Sequence, residues 1–362
     1  MQMVYTILNI GVFIVGLFLL IYGSDVFVES ASKMALRIGV SELFIGLTIV
    51  AIGTSLPEVV SSTTAVLAGK SQLAFTNVIG STVVNLTLII GISAVVSPLA
   101  SNAVVIDRDA KVMLLLLGTL AVFVFDPFTP GQIVTYEAII LIVILLAYLS
   151  FLVTRKEECE SCYQFHVFVD YLIRFKFLTS LRGVILSSRV KSKEKKSEEN
   201  NGKKLSRLAS LKSPFAVIFS AFSIVLGAWL VVSGSGFITA TWGIQEGVIG
   251  FVIIAIGTSL PELTVSINSA KRGFGRLLIG NVIGSNIVNI TLGLGFVSLF
   301  IPTQVSLFAG NIVLIIMTLA IAFIFFYAIR RDWRVTRLEG VLLLALFVVA
   351  QIVIVYFEQF QM

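Results

Sequence analysis

The segment FIGLTIVAIGTSLPEVVSSTTAVLAGKSQLAFTNVIGSTVVNLTLIIG, Phe44–Gly91, returns 204 residues later as VIGFVIIAIGTSLPELTVSINSAKRGFGRLLIGNVIGSNIVNITLGLG, Val248–Gly295. The copies align without a gap, with 24 of 48 positions identical. Gly-Thr-Ser-Leu-Pro-Glu stands in both, at Gly53–Glu58 and Gly257–Glu262, and Asn-Val-Ile-Gly-Ser recurs at Asn77–Ser81 and Asn281–Ser285. Glu58 and Glu262 are each the only acid at the centre of an apolar span. A carboxylate in the middle of a bilayer is expensive and marks a functional site by default. Two of them, placed by an internal repeat beside helix-breaking prolines, point to a transporter with a central cation site.

Composition supports the membrane reading. Of 362 residues, 57% are hydrophobic and 13% charged, and the mean hydropathy is +1.02. A soluble core does not need so much apolar sequence. Ten apolar stretches lie near the ~20 residues that a spanning helix requires. They are Val4–Tyr22, Leu43–Ala68, Leu73–Val96, Val112–Phe125, Ile133–Val153, Phe215–Val232, Val248–Ala270, Leu277–Ile301, Val305–Ile329 and Leu338–Phe357. The fourth is short, so it either continues past Asp126 or crosses a thinned region. No Lys or Arg precedes the first stretch and no cleavage site follows it, so it reads as a retained helix.

Positive charge orients these spans. With the N-terminus outside, the connections after spans one, three, five, seven and nine are cytoplasmic and hold 25 of the 26 Lys and Arg residues; Lys70 alone falls outside. The net charge of +6 is then a topology signal rather than a nucleic-acid footprint. Five spans precede the central loop and five follow it. An odd number per half turns the second half upside down, and the two acidic motifs approach the midplane from opposite sides. The expected fold is all-α and integral to the membrane: ten transmembrane helices as two inverted five-helix repeats, with spans two and seven discontinuous. Residues 1–153 form the first half, 154–213 a basic cytoplasmic loop and 214–362 the second half, with both termini outside the cell membrane.

The motifs carry their own chemistry. The ring of Pro57 clashes with the carbonyl of Gly53, one turn earlier, and Pro261 does the same to Gly257, so both helices kink or break. Carbonyls freed at membrane depth must line protein or a cavity, and they can serve as ligands. Ca²⁺ takes ~6–8 hard oxygen ligands. Two carboxylates with kink carbonyls near Thr54 and Thr258 suit it and balance its charge. Ser81 and Asn85, at i and i+4, share one helix face, as do Ser285 and Asn289. Their neutral oxygens suit Na⁺. The embedded spans hold no Cys or His, which argues against Zn²⁺ or Cu. Gly53, Gly80, Gly257 and Gly284 read equally well as packing residues at helix crossings; for the serines and asparagines, packing or inter-helix contact is the weaker reading. Asp25, Glu42, Glu137, Glu246 and Glu339 lie near helix ends, where solvation accounts for them.

These residues resemble the cation/calcium exchanger superfamily, most closely its sodium/calcium branch. Its members carry a pair of inverted alpha repeats, each with a Gly-Thr-Ser-x-Pro-Glu motif and a later Gly-Ser-rich motif. The resemblance implies that Glu58 and Glu262 bind Ca²⁺ with the main-chain carbonyls of Thr54 and Thr258. It places Na⁺ sites at Ala51, Ser55, Ser81 and Asn85, and at Ala255, Ser259, Ser285 and Asn289. Proton/calcium members usually carry Gly-Asn-Ala in the first motif, so Gly-Thr-Ser favours Na⁺ as the coupling ion. Many sodium/calcium exchangers, including the potassium-dependent ones, have Asp where this chain has Asn289, which makes K⁺ cotransport a weaker expectation. Ca²⁺ and Na⁺ are then transported ions, with no cofactor, with membrane lipid as surroundings and with no obligatory protein partner. A Ca²⁺/H⁺ exchanger on the same scaffold and a cation channel are the competing readings. No nucleophile–base pair or cofactor motif supports an enzyme.

The loop is less informative. Lys191–Lys204 (KSKEKKSEENNGKK) reads as a disordered linker. Phe165–Val190 mixes apolar residues with Arg174, Lys176, Arg182 and Arg189. It reads either as an amphipathic helix on the inner leaflet or as a loosely packed connector. Cys159, Cys162 and His166 supply three ligands of a zinc site without an evident fourth, so free thiols are the default. The loop is too short, and has too few acids, for a calcium-sensing domain.

Overall fold

In lipid every backbone N–H and C=O must be satisfied internally, so long runs of Leu, Ile, Val and Phe fold as helices. The computed structural model describes residues 2–37, 51–101, 105–154, 164–180 and 207–359, and they are almost wholly helical. In chain order the helices are α1 (Gln2–Arg37), α2 (Ala51–Thr54), α3 (Leu56–Leu67), α4 (Ser71–Val96), α5 (Lys111–Val124), α6 (Thr135–Thr154), α7 (Phe165–Ile173), α8 (Arg207–Trp242), α9 (Glu246–Thr258), α10 (Leu260–Lys271), α11 (Gly275–Phe296), α12 (Ala309–Asp332) and α13 (Arg337–Gln359). Among the described residues, seven helices are long and apolar enough to cross a membrane, or eight if the bent pair α9–α10 counts as one span. This is a multi-pass membrane protein. Of the remaining predicted spans, Leu43–Ala68 lies partly outside the described residues. Val112–Phe125 is the 14-residue α5.

The short fourth span corrects one expectation. Helix α5 does not continue past Asp126: Asp126 accepts hydrogen bonds from Thr129 and Tyr136 in a turn. The extension is on the other side, where a π-helical stretch, Val105–Ala110, leads into α5. Its charges are internally matched. Arg108 makes a two-pronged pair with the adjacent Asp109, at 2.5 and 3.0 Å, and Lys111 pairs with Asp107 one turn back.

Corresponding parts of the two sequence repeats take matching conformations. The first motif breaks at Ser55, between α2 and α3, and the second at Ser259, between α9 and α10, where the axis bends by 45°. Each proline sits in the first turn of the helix after the break, where its missing N–H costs nothing. Gly69 and Gly273 both have φ of +75°, a left-handed turn that glycine adopts without strain. The turns lead into α4 and α11, which are largely buried. Both change to π-helical winding, at Val84–Ile89 and Asn289–Phe296.

The halves grip each other reciprocally. Strand β1 (Leu99–Ala100) pairs with β4 (Arg334–Val335), and β2 (Gln132–Ile133) with β3 (Thr303–Gln304). Glycine Gly91 of α4 crosses α13 at Gly340, and Gly295 of α11 meets Leu141 of α6. Helices α1 and α8 lie against each other over much of their length, and their outer faces carry exposed Phe18, Tyr22, Phe219 and Trp229. Two of the end-of-helix acids are not solvated as expected. Glu137 is buried and accepts from the Val134 N–H, and Glu339 accepts from the N–H and hydroxyl of Thr336. These are helix-start caps. Lys70 is also engaged, reaching Val232 O at 3.1 Å and Glu246 at 3.4 Å.

In the central loop, α7 packs on α6 through Phe168 against Phe151, and Tyr171 shares a hydrogen bond with Ser150 at 2.8 Å. It is therefore neither a loose connector nor a helix laid wholly on lipid, although Ile173, Phe175 and Leu178 remain exposed. Helix α8 begins at Arg207, within the expected loop. His166 is exposed on α7, whereas Cys159, Cys162 and Lys191–Lys204 lie outside the described residues.

The α1–α8 contact depends on glycine. A Cβ at Gly227 would lie 2.7 Å from Gly16 O and Leu20 N. Gly227→Val is expected to lower stability by about 1–3 kcal/mol, read as a lower melting temperature in detergent. Gly11→Val on the same bundle, where a Cβ meets nothing within 4 Å, should change it far less.

Candidate cation-binding site

The breaks at Ser55 and Ser259 bring the acidic motifs into contact. Ser259 Oγ donates to Glu58 Oε1 at 2.8 Å, and Ser55 Oγ reaches Glu262 Oε1 at 3.5 Å. Each half's serine thus serves the other half's glutamate. Both glutamates are fully buried. Thr258 also lies beside Glu58, and Thr54 beside Glu262. One carbonyl freed by Pro57 is accounted for: Gly53 O accepts from Ser24 of α1 at 2.5 Å.

Helices α4 and α11 supply the flanking polar groups. Ser81, Asn85, Ser285 and Asn289 are all fully buried. The Ser81 and Ser285 hydroxyls and both polar atoms of Asn289 have no hydrogen-bond partner among the described residues, and neither has Glu58 Oε2, Glu262 Oε2 or Asn85 Oδ1. Burying such a group unpaired costs about 1–3 kcal/mol. A buried cluster of carboxylate, hydroxyl and amide oxygens is the donor set that hard cations prefer. Among the described residues there is no group of three or more His, Cys, Asp or Glu side chains placed to hold a metal ion, so the two glutamates are the acidic part of this set.

Ala255 is buried and packs directly on Gly80, whose added Cβ would lie 2.9 Å from it. Gly80 is thus required at the crossing of α4 and α9. Ala51 opens α2. Two residues were not singled out from the sequence. Asn286 accepts from Asn85 Nδ2 at 2.9 Å through Oδ1, and its own amide faces the sulfur of Met113 at 3.5 Å. Asn77 bonds Ser62 and Ser61 of α3. The recurring Asn-Val-Ile-Gly-Ser was a signal for Asn77. Asn286 stands opposite Thr82 in the repeat, so the repeat concealed it.

A family model described as "Sodium/calcium exchanger protein" matches residues 8–154 and 212–356. The chain belongs to this family. It is one of ion exchangers, not of enzymes. The sodium/calcium exchanger MaX1 of Methanosarcina acetivorans is 37% identical over 353 residues, 96% of this chain and 99% of the relative. An uncharacterized membrane protein of Methanocaldococcus jannaschii is 32% identical, covering 95% of this chain and 97% of its own. The solved sodium-calcium exchanger NCX_Mj, soaked with Na⁺ and Sr²⁺, matches with a TM-score of 0.58 and 28% identity, over 95% of this chain and 98% of that one.

The asparagine pair can be tested without transport. Asn286→Leu leaves Asn85 Nδ2 buried without its partner and is expected to cost about 1–3 kcal/mol. Adding Asn85→Leu should recover part of that loss. Thermal unfolding of the two single variants and the double variant in detergent reads the coupling.

Proposed function

We propose that the protein is a secondary active Na⁺/Ca²⁺ antiporter working by alternating access around a midplane site. The observation that carries this is the reciprocal contact of the two acidic motifs, Ser259 with Glu58 and Ser55 with Glu262, in a chain of this family. Glu58 and Glu262 bind Ca²⁺ together with the carbonyls of Thr54 and Thr258. Na⁺ is held by Ala51, Ser55, Ser81 and Asn85 and by Ala255, Ser259, Ser285 and Asn289. The matched breaks, left-handed turns and crossed strand pairs support ten spans as two inverted five-span repeats. In this arrangement residues 1–153 and 214–362 are the halves, 154–213 is a cytoplasmic loop, and both termini lie outside. Lipid surrounds the bundle, and the reading needs no protein partner.

Coupling follows from charge. Two unneutralised carboxylates are costly to occlude away from water, by several kcal/mol per ion, so the unloaded carrier rarely changes face. Ca²⁺ or several Na⁺ neutralise the site and lower that barrier. Both ions use the same oxygens, so they compete. The Ca²⁺/H⁺ alternative is not favoured, since MaX1 and NCX_Mj are sodium/calcium exchangers and both motifs read Gly-Thr-Ser.

Glu58→Gln and Glu262→Gln should each abolish ⁴⁵Ca²⁺ uptake into Na⁺-loaded proteoliposomes while the protein still inserts and melts cooperatively. Near-normal flux in either would remove the site assignment. In the wild type, Ca²⁺ efflux should stop when the external medium holds neither Na⁺ nor Ca²⁺. Sustained efflux into choline medium at neutral pH would point to a channel or a proton exchanger.

A further inference from the structure

We propose that Asn77 and Asn281 are a further pair of cation-contacting residues, set one helical turn beyond Ser81 and Ser285 and met by Ca²⁺ and Na⁺ on the way to the glutamates. This rests on the exchanger reading. Asn77, Ser81 and Asn85 are spaced i, i+4 and i+8, which puts them on one stripe of α4. Asn281, Ser285 and Asn289 make the same stripe on α11. Five of these six residues have a buried oxygen without a partner among the described residues, and in Asn281 the unpartnered atom is the amide nitrogen.

Asn77 is oriented for the role. It is 1% exposed. Its amide nitrogen faces α3, the helix that carries Glu58: it donates to Ser62 Oγ at 2.8 Å and to Ser61 Oγ at 3.1 Å, with the Glu58 main-chain oxygen at 3.4 Å. With its hydrogens committed there, the carboxamide is left with Oδ1, a neutral acceptor beside the acidic residue. Such an oxygen is a hard ligand of the kind that Ca²⁺ accepts from Asn.

The second half differs in one respect. The corresponding Asn281 Nδ2 and Ser266 Oγ are both buried and both unpartnered, so the bond made by Asn77 with Ser62 is open there. Val265 replaces Ser61, and Asn281 is 9% exposed. If the halves are inverted, Asn77 lies about 6 Å toward one face from its serine, and Asn281 about 6 Å toward the other. Each then belongs to one access route.

The test measures half-saturating Ca²⁺ for Na⁺-dependent ⁴⁵Ca²⁺ flux, with Ca²⁺ presented at each face in turn. Asn77→Ala should raise it roughly tenfold at one face relative to the other, and Asn281→Ala should shift the ratio the opposite way. Ser62→Ala removes one anchor but keeps Oδ1 and the bond to Ser61, so its effect should be smaller than that of Asn77→Ala. Asn77→Asp keeps an oxygen and should restore affinity lost in Asn77→Ala. Equal changes at both faces, or a Ser62→Ala variant as impaired as Asn77→Ala, would show Asn77 to be only a brace between α3 and α4. Equilibrium ⁴⁵Ca²⁺ binding in detergent separates this inference from the exchanger reading. Binding weakened more by Asn77→Ala than by Ser62→Ala, in a protein without Na⁺-driven flux, would keep the ligand and overturn the exchanger. Binding unchanged by Asn77→Ala would overturn the ligand alone.

Discussion

Two carboxylates buried inside an apolar helix bundle are the constraint around which this chain is built. Neither is neutralised by a nearby Lys or Arg among the ion pairs of the described residues. What each has is a hydroxyl from the other half. That pairing holds only if both breaks occur at the same depth, and the depth is set by Pro57 and Pro261. It also requires the halves to stay registered, which the crossed strand pairs and the Gly91–Gly340 and Gly295–Leu141 contacts provide. An unpaired buried charge would otherwise cost far more than a single hydrogen bond returns. The polar stripes of α4 and α11 serve the same end, because they surround the acids with oxygens rather than hydrocarbon.

Much of this was legible in the chain. The repeat places Glu58 and Glu262, the prolines place the breaks, and hydropathy finds the long helices. Other features were not legible, each for a physical reason. The π-helical lead-in to α5, Val105–Ala110, was hidden because Asp107, Arg108 and Asp109 look like a solvated connection. Their charges are matched locally, and the winding is π rather than α. Glu137 and Glu339 looked solvated because helix-start capping depends on backbone direction, which composition does not carry. Lys70 looked like an isolated external charge because its partners, Val232 and Glu246, are more than 160 residues away. Helix α7 was undecided between two readings because its apolar face divides between α6 and the exterior.

The proposed ligands are identical in the two repeats, and the departures from internal symmetry lie beside them. Asn286 stands where the first half has Thr82, and it alone gives one asparagine of the site, Asn85, a protein partner. Asn289 keeps both of its polar atoms unpartnered. The two amides are therefore not equivalent even though the helices presenting them are. Asn85 is held by Asn286, while Asn289 has no such partner among the described residues.

Asymmetry at the periphery points the same way. Lys70 ties the start of α4 to α8 and to Glu246 at the start of α9, whereas its counterpart in the second repeat is Phe274, which is exposed. Under the proposed alternating access, two identical inverted halves would leave the two orientations evenly balanced. A tether present on one side only biases that balance. Its ion pair is partly exposed, so the direct contribution is small, about 0–1 kcal/mol. Even that changes the ratio of two nearly equal conformers severalfold, since 1.4 kcal/mol is a factor of ten. Small differences laid on a repeated frame are thus sufficient to set a resting orientation, and they leave the frame itself, with its buried glutamates, unaltered.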